Sequence, residues 1–276
     1  MSLAFCSLSS GSSGNCYVVK SDEKLLLIDA GITLKKIKEK LEEMDSSLEE
    51  VSGILVTHEH SDHIKSVGAV SRKFDVPIYA NEKTWLDMEN SLGNIKESNK
   101  RIFTTGESFE LLEVTIKPFS IPHDAADPVG FSFYKDEAQI STVTDIGYMT
   151  EAILNEIIHA DLLVLEANHD VDMLKIGKYP WFLKQRILGK QGHLSNEDAG
   201  RALVHLITEN PKERQVLLAH LSRENNFPQM AYQTVKNILE EKSYYIGKHI
   251  MLNTIVREEI SAIYSVTKEG GIQYGI

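Results

Sequence analysis

The chain has 276 residues, of which 42% are hydrophobic and 25% charged, with a formal net charge of −11. That is enough chain for a sizeable core and shows no Pro-, Gly- or Ser-rich linker at which to divide it, so a single domain over residues 1–276 is expected. The apolar runs, such as Leu25-Leu26-Leu27-Ile28, are too short to cross a bilayer, the N-terminus has no signal-like basic and apolar regions, and the acidic balance argues against a general, charge-driven nucleic-acid binder. A cytoplasmic protein is expected, in which Cys6 and Cys16 are reduced and without a function.

In chain order, a β-meander is expected from Leu3 to Leu8, Cys16 to Val19 and Leu25 to Asp29, with the small-residue loop Ser9 to Asn15 after the first strand. Leu34, Ile37, Leu41 and Met44 recur at helical spacing and predict a surface helix. The apolar run Gly53-Ile54-Leu55-Val56-Thr57 then delivers His58-Glu59-His60-Ser61-Asp62-His63. A strand ending in a tight loop turns His58 and His60 toward one ion, while Asp62 and His63 open the next helix and face a second. Imidazole and carboxylate suit zinc, manganese or iron, so two adjacent cations are implied. A solvated His-rich loop is the plainer alternative, and the concentration of donors argues against it.

Further on, the pattern predicts a helix through Val67 and Val70, a strand from Val76 to Ala80, a helix around Trp85, and strands from Phe109 to Phe119, Val129 to Tyr134 and Ala138 to Val143. A helix from Glu151 to His159, a strand from Leu162 to Leu165, a helix from Asn196 to Ile207 capped by Ser195, a strand from Gln215 to Ala219 and a helix from Gln229 to Glu240 follow. Glu259 to Val266 and Ile272 to Tyr274 read as a hairpin around Gly270-Gly271, pairing internally or across a dimer. Two βα halves, each beginning with strands, imply an α/β fold: a four-layer αβ/βα sandwich with metals in the loops of one edge.

Three more donors stand where an apolar strand gives way to a loop: His123, Asp145 and His220. Between Asp172 and Gln191, five basic residues (Lys175, Lys178, Lys184, Arg186, Lys190) face one acidic residue and interleave with Tyr179, Trp181 and Phe182. Such a face suits a nucleic-acid strand; the alternative is an amphipathic helix that packs its aromatics. Ser12, Ser13 and Asn15, on a glycine-flanked loop, and Arg223 and Asn225, beyond His220, are candidate phosphate contacts, with a plain hairpin turn as the alternative for the first three and a solvent-exposed loop for the last two. His159, His169, His205 and His249 lack a matching motif and are read as structural.

Leu27-Ile28-Asp29-Ala30-Gly31, the His58 to His63 motif, and then His123, Asp145 and His220 in that order resemble the metallo-β-lactamase superfamily over nearly the whole chain. The resemblance implies His58, His60 and His123 on a first metal, Asp62, His63 and His220 on a second, Asp145 bridging them, and Asp29 buried behind the His loop. Possession of both Asp62 and His63 resembles the phosphodiesterase and nuclease branches. Gly11 to Cys16, Pro122 to Ala125, Glu166 to Asp170, Gly192 to Ser195 and His220 to Asn226 are similar to the bacterial WalJ/YycJ subfamily, which implies a 5′-to-3′ exonuclease acting on double-stranded DNA with two divalent ions, zinc or manganese, or iron. Asp62, His193 and Glu166 are then the expected catalytic residues, His193 as general acid and Glu166 orienting it. The interval from Asp145 to His220 leaves no room for a β-CASP insertion, which makes the basic stretch from Lys175 to Lys190 the expected grip on substrate. A small-molecule hydrolase of the same fold, acting on a cyclic phosphodiester, lactone or thioester, is the alternative, and a diiron redox protein a more distant one.

Overall fold

Strands covered on both faces carry nearly continuous apolar runs, and the opening meander is built that way. In the computed structural model, which describes residues 3–267 and 272–275, β1 (Leu3–Ser9), β2 (Cys16–Ser21) and β3 (Lys24–Ile28) pair antiparallel in sequence order. Helix α1 (Leu34–Glu42) begins where Thr33 accepts the Lys36 N–H, and it buries Ile37 and Leu41. It leads to β4 (Val51–Leu55), which joins β3 in parallel. After α2 (Ser61–Ile64) and α3 (Val67–Phe74), β5 (Ile78–Ala80) extends the sheet, and α4 (Glu82–Leu92) leads to β6 (Lys100–Ile102) at its edge.

The second half runs β7 (Phe109–Leu111), β8 (Val114–Ser120), β9 (Val129–Lys135) and β10 (Ala138–Val143) as antiparallel neighbours. Then come α5 (Glu151–Ile157), β11 (Leu162–Glu166), α6 (Val171–Ile176), α7 (Trp181–Leu188), α8 (Asn196–Glu209), β12 (Gln215–Ala219), α9 (Pro228–Glu241) and β13 (Met251–Thr254). Strands β10 to β13 are parallel neighbours. Finally β14 (Ile263–Val266) returns to pair with β1, and β15 (Ile272–Gly275) pairs with β14. The two sheets have the orders β15-β14-β1-β2-β3-β4-β5-β6 and β13-β12-β11-β10-β9-β8-β7.

Strand periodicity sorts the core into layers. In β3, Leu25 and Leu27 pack with Ile37, Leu41, Val67 and Trp85 of the helices, while Leu26 and Ile28 pack with Phe131, Val164 and Leu217 between the sheets. In β11, Leu163 and Leu165 meet Ile153, Leu203 and Val235 on the other outer face, and Leu162 and Val164 turn inward. The arrangement is the expected αβ/βα sandwich. Its innermost layer is aromatic, with Phe5, Tyr17, Phe131 and Phe133 fully enclosed.

The structure departs from the sequence reading in several places. The stretch from Phe109 to Phe119 is two strands rather than one, because Leu112 and Glu113, each at φ 56°, turn the chain through a left-handed pair. Leu-Glu lacks the Asn or Gly that normally announces such a hairpin. The short strands β6 and β13 were not expected. The basic stretch forms two short helices, and the aromatics of α7 do not pack: Trp181 is 65% and Phe182 72% exposed. The C-terminal strands pair within the chain, and Gly270 and Gly271 lie outside the described residues. Cys6 and Cys16 are buried free thiols, and burial pushes Cys6 up to about 11. Among the described residues no helix is long and apolar enough to cross a membrane.

Candidate metal centre

Donor residues from both sheets meet at one edge of the sandwich, where four strands end. Of these, β10 and β12 run out into a donor in the left-handed region, Asp145 at φ 57° and His220 at 55°, and the neighbouring β3 does the same at Asp29, at 59°. Aspartate and histidine enter that conformation more readily than most side chains, and their surroundings help hold them there. For His220 they are visible: its N–H donates to Ser10 Oγ at 2.8 Å, and its carbonyl accepts from Asn168 Nδ2 at 2.8 Å. The β1–β2 loop is thus tied to the far sheet. The same loop is tied to the His motif, since Asn15 N donates to Asp62 O at 2.8 Å and Gly31 N to Asn15 O at 2.8 Å. A Cβ on Gly31 would sit 1.6 Å from Asp62 O, so only glycine lets these backbones approach.

Asp29 anchors the His loop from behind. Its Oδ1 accepts from Thr57 N at 2.9 Å, and its Oδ2 accepts from Thr57 Oγ1 at 2.8 Å and from His63 Nδ1 at 2.7 Å. His58 Nδ1 donates to the Thr57 hydroxyl at 3.0 Å, and His123 Nδ1 donates to Gly192 O at 3.2 Å. Each of these rings therefore spends Nδ1 on a fixed oxygen and leaves Nε2 for the interior, the arrangement by which outer partners aim metal-binding imidazoles. His58 Nε2 lies 3.1 Å from His60 Nδ1.

The donor atoms converge as two groups. Those of His58, His60 and His123 lie within 4.8 Å of one another, as do those of Asp62, His63 and His220. Asp145 stands between the groups: its Oδ2 is 3.4 Å from His63 Nε2, and its Oδ1 is 3.9 Å from His123 Nε2 and 3.5 Å from His220 Nδ1. Asp145 Oδ2 and His220 Nε2 are buried without a hydrogen-bond partner. Orphaned polar atoms of this kind carry a desolvation cost that coordination to a cation would offset. A divalent metal fits the residues present by geometry and by donor chemistry.

Electrostatics agree. Burial pulls the His58 and His123 imidazoles down, which keeps them in the neutral form that coordinates metals. Burial acts against charge on Asp145 too, yet His220, His63, His123 and His58 together hold its carboxyl well below the usual carboxylate range. His63 is opposed by burial but pushed up to about 10 by Asp29 and Asp145, so its pocket favours positive charge.

Glu166, fully buried at the end of β11, organises the other side. Its Oε1 accepts from His193 Nδ1 at 2.9 Å and from His220 Nδ1 at 2.7 Å; its Oε2 accepts from Ile146 N at 2.8 Å and Leu194 N at 3.1 Å. Burial works against the Glu166 charge, but His193 and His220 hold it down at about 2. Burial likewise pulls His193 down, and Glu166 outweighs it to push that ring up to about 9. Asp145, Glu166, His193 and His220 also cluster within 4.8 Å, but the two Nδ1 atoms are committed to Glu166, which closes that set by hydrogen bonds. His193 and His220 line a small cavity of about 170 Å³ together with Ser12, Asn168, Tyr179 and Ser222.

The family now follows from the chain itself. Residues 24–221, which span the brace Asp29 and every donor from His58 to His220, match the model of the Beta-lactamase superfamily domain. The chain belongs to the β-lactamase superfamily. Among the relatives of this superfamily member, it is 44% identical over 248 residues to a protein named Exodeoxyribonuclease YycJ from Bacillus anthracis, covering 90% of this chain and 93% of that one. It is 43% identical to Exodeoxyribonuclease WalJ from Streptococcus pneumoniae serotype 2, over 87% of this chain and 89% of that one. Its fold is similar to that of the metallo-β-lactamase fold protein YhfI from Bacillus subtilis, with a TM-score of 0.72 at 17% identity over 95% of this chain and 99% of that one.

All seven expected donors, and the pair His193 and Glu166, are brought to one place. The expected phosphate contacts divide. Ser12 and Ser13 are exposed, and both line a second cavity, of about 530 Å³, beside Asp62. Arg223 is exposed. Asn15 and Asn225 are corrected. Asn15 is fully buried, its Oδ1 accepting from Gly11 N at 2.8 Å and its Nδ2 lying 3.0 Å from His63 Nε2, so it packs the loop against the centre. Asn225 is 1% exposed, with its amide turned back on Ser222 Oγ at 3.4 Å, and it shapes its own loop. Lys184 is corrected too, since its ammonium donates to Lys175 O and Gly177 O, both at 2.7 Å. The sequence reading missed the second bond of Glu166, the Ser10 contact, and the ion pair of Asp124 with Arg186. Their signal was faint: Glu166 is the last residue of its strand, and Asp124 directly follows His123.

Proposed function

We propose that this protein is a metal-dependent exodeoxyribonuclease that removes nucleotides from the 5′ end of DNA with two divalent ions, zinc or manganese. The observation that carries the reading is Asp145, buried between two donor groups with an oxygen toward each, in a chain 44% and 43% identical to two proteins named exodeoxyribonuclease. His58, His60 and His123 would hold one ion and Asp62, His63 and His220 the other, with Asp145 between them. Bound there, divalent ions supply Lewis acidity to a phosphoryl oxygen and activate water for an in-line displacement.

The chain's own residues do the rest. Glu166 fixes the His193 ring through Nδ1 and favours its protonated form, which leaves Nε2 as the nitrogen with a proton to give. In 5′-to-3′ cleavage the bond between phosphorus and the 3′ oxygen of the departing nucleotide breaks, and His193 Nε2 supplies the proton to that oxygen. Glu166 holds His220 at the same time, so one carboxylate sets both the acid and a metal donor. Ser12 and Ser13 stand at the mouth of the site, where hydroxyls meet phosphate oxygens.

Digestion of 5′-labelled and 3′-labelled duplex DNA by metal-reconstituted protein, beside the Asp62→Ala variant, tests the reading. Metal-dependent release of mononucleotides from the 5′ end, absent in the variant, is expected. Turnover of a small phosphodiester with no cleavage of DNA would replace it with the small-molecule hydrolase.

A further inference from the structure

Arg186 and Asp124 border two spaces: the cavity of about 170 Å³ over His193 and His220, and a larger one of about 570 Å³ lying outside it. The partition is an ion pair, in which Arg186 Nε donates to Asp124 Oδ2 at 2.5 Å while Asp124 Oδ1 lies 3.4 Å from His123 Nε2. The outer space is therefore one residue away from the metal centre. Its size falls within the roughly 300–1,000 Å³ of ligand pockets, whereas the inner cavity falls below it.

Tyr148, Lys190 and Gln185 also line the outer space. Tyr148 is 45% exposed, and Lys190 is exposed and makes no ion pair among the described residues. Their spacing is set by backbone: a Cβ on Gly147 would lie 2.1 Å from Lys190 O, so the chain carrying Tyr148 rests directly on the chain carrying Lys190. Of the five basic residues from Lys175 to Lys190, Lys184 is consumed by carbonyls, Lys175 lies 3.9 Å from Asp172 and Lys178 is exposed away from the cavity lining, while Arg186, whose Nε alone is engaged by Asp124, and Lys190 line the cavity. Phe182, one helical turn before Arg186 and 72% exposed, continues the same face. An aromatic ring and two cations, here one residue away from the metal centre, are the components by which a nucleic-acid strand is held.

We propose that this outer cavity is a nucleotide subsite that takes the nucleotide next to the scissile phosphate, with its base stacked on Tyr148 and its phosphate held by Arg186 and Lys190. The inference rests on the nuclease reading above and adds to it a place for the strand.

The test is fluorescence anisotropy of the full chain, reconstituted with manganese and carrying Asp62→Ala to prevent cleavage, titrated into a fluorescein-labelled, 5′-phosphorylated DNA duplex. Adding Tyr148→Ala is expected to weaken binding about 5- to 150-fold, as loss of one stacking partner does, and Tyr148→Phe to restore it. Lys190→Glu is expected to weaken binding and to lower the slope of log Kd against log salt by about one. Metal content and thermal unfolding of these variants should match those of the Asp62→Ala protein. Equal duplex affinity with and without Tyr148→Ala and Lys190→Glu would overturn the subsite and leave the nuclease reading standing if the parent chain still digests DNA. A parent chain that neither binds nor digests DNA would overturn both.

Discussion

The two sheets supply the same centre in opposite ways. The first gathers its donors into six residues, His58 to His63, braced by one carboxylate, Asp29, that reaches Thr57 and His63. The second spreads His123, Asp145 and His220 over three strand ends and holds two of those ends in the left-handed region. A local motif can be aimed by one brace, but a distributed set depends on the sheet being correct. On the second side the brace is Glu166, which ties His220 to His193 and binds two backbone N–H groups besides. In the proposed mechanism the first sheet serves metal binding alone, while the second couples metal binding to proton transfer.

Substitutions that keep the backbone shape break this comparison most cleanly. Asparagine tolerates the left-handed region, so Asp145→Asn removes charge with little strain. It is expected to have the largest effect, beyond the ~10- to 100-fold that losing an outer partner costs, because the carboxylate between the two donor groups loses its charge and one of its two oxygens; steady-state turnover on labelled duplex measures it. His193→Ala comes next, with a drop of about 10²- to 10⁴-fold in kcat for loss of a general acid. If instead kcat is unchanged and only KM rises, the acid lies elsewhere.

Asp29→Asn and Glu166→Gln sharpen the contrast between the braces. Each is expected to weaken metal binding by about 10- to 100-fold, read by competition with a chromogenic chelator. The difference lies in turnover at saturating metal, where Asp29→Asn should recover and Glu166→Gln should not, since His193 then lacks the carboxylate charge that favours its protonated form. Smaller effects belong to the rim. Arg223→Ala should raise KM for DNA a few-fold, as loss of a charge-assisted contact does. Asn225→Ala should lower the unfolding midpoint instead, because its buried amide serves its own loop.

What was legible in the sequence follows the same division. The His58 to His63 motif could be read directly because its geometry is local, and β3 and β11 because their alternating residues feed two layers. Asp145 and His220 were visible only as polar residues at the ends of apolar strands. The bond from Glu166 to His220 was not visible at all, since it depends on β11 and β12 pairing with Glu166 beside Ala219. Asn15 misled because a glycine-flanked asparagine looks like an open turn, and only the packing of two sheets buries it. Lys184 misled for a related reason: an ammonium can satisfy two carbonyls of its own segment as well as a phosphate.

Elemental analysis of metal bound per chain, in the reconstituted parent, in Asp145→Asn and in His193→Ala, tests the central claim most directly. The account predicts two ions per chain in the parent and in His193→Ala, and fewer in Asp145→Asn. A single ion in the parent, or loss of metal in His193→Ala, would contradict a paired centre served by a separate acid.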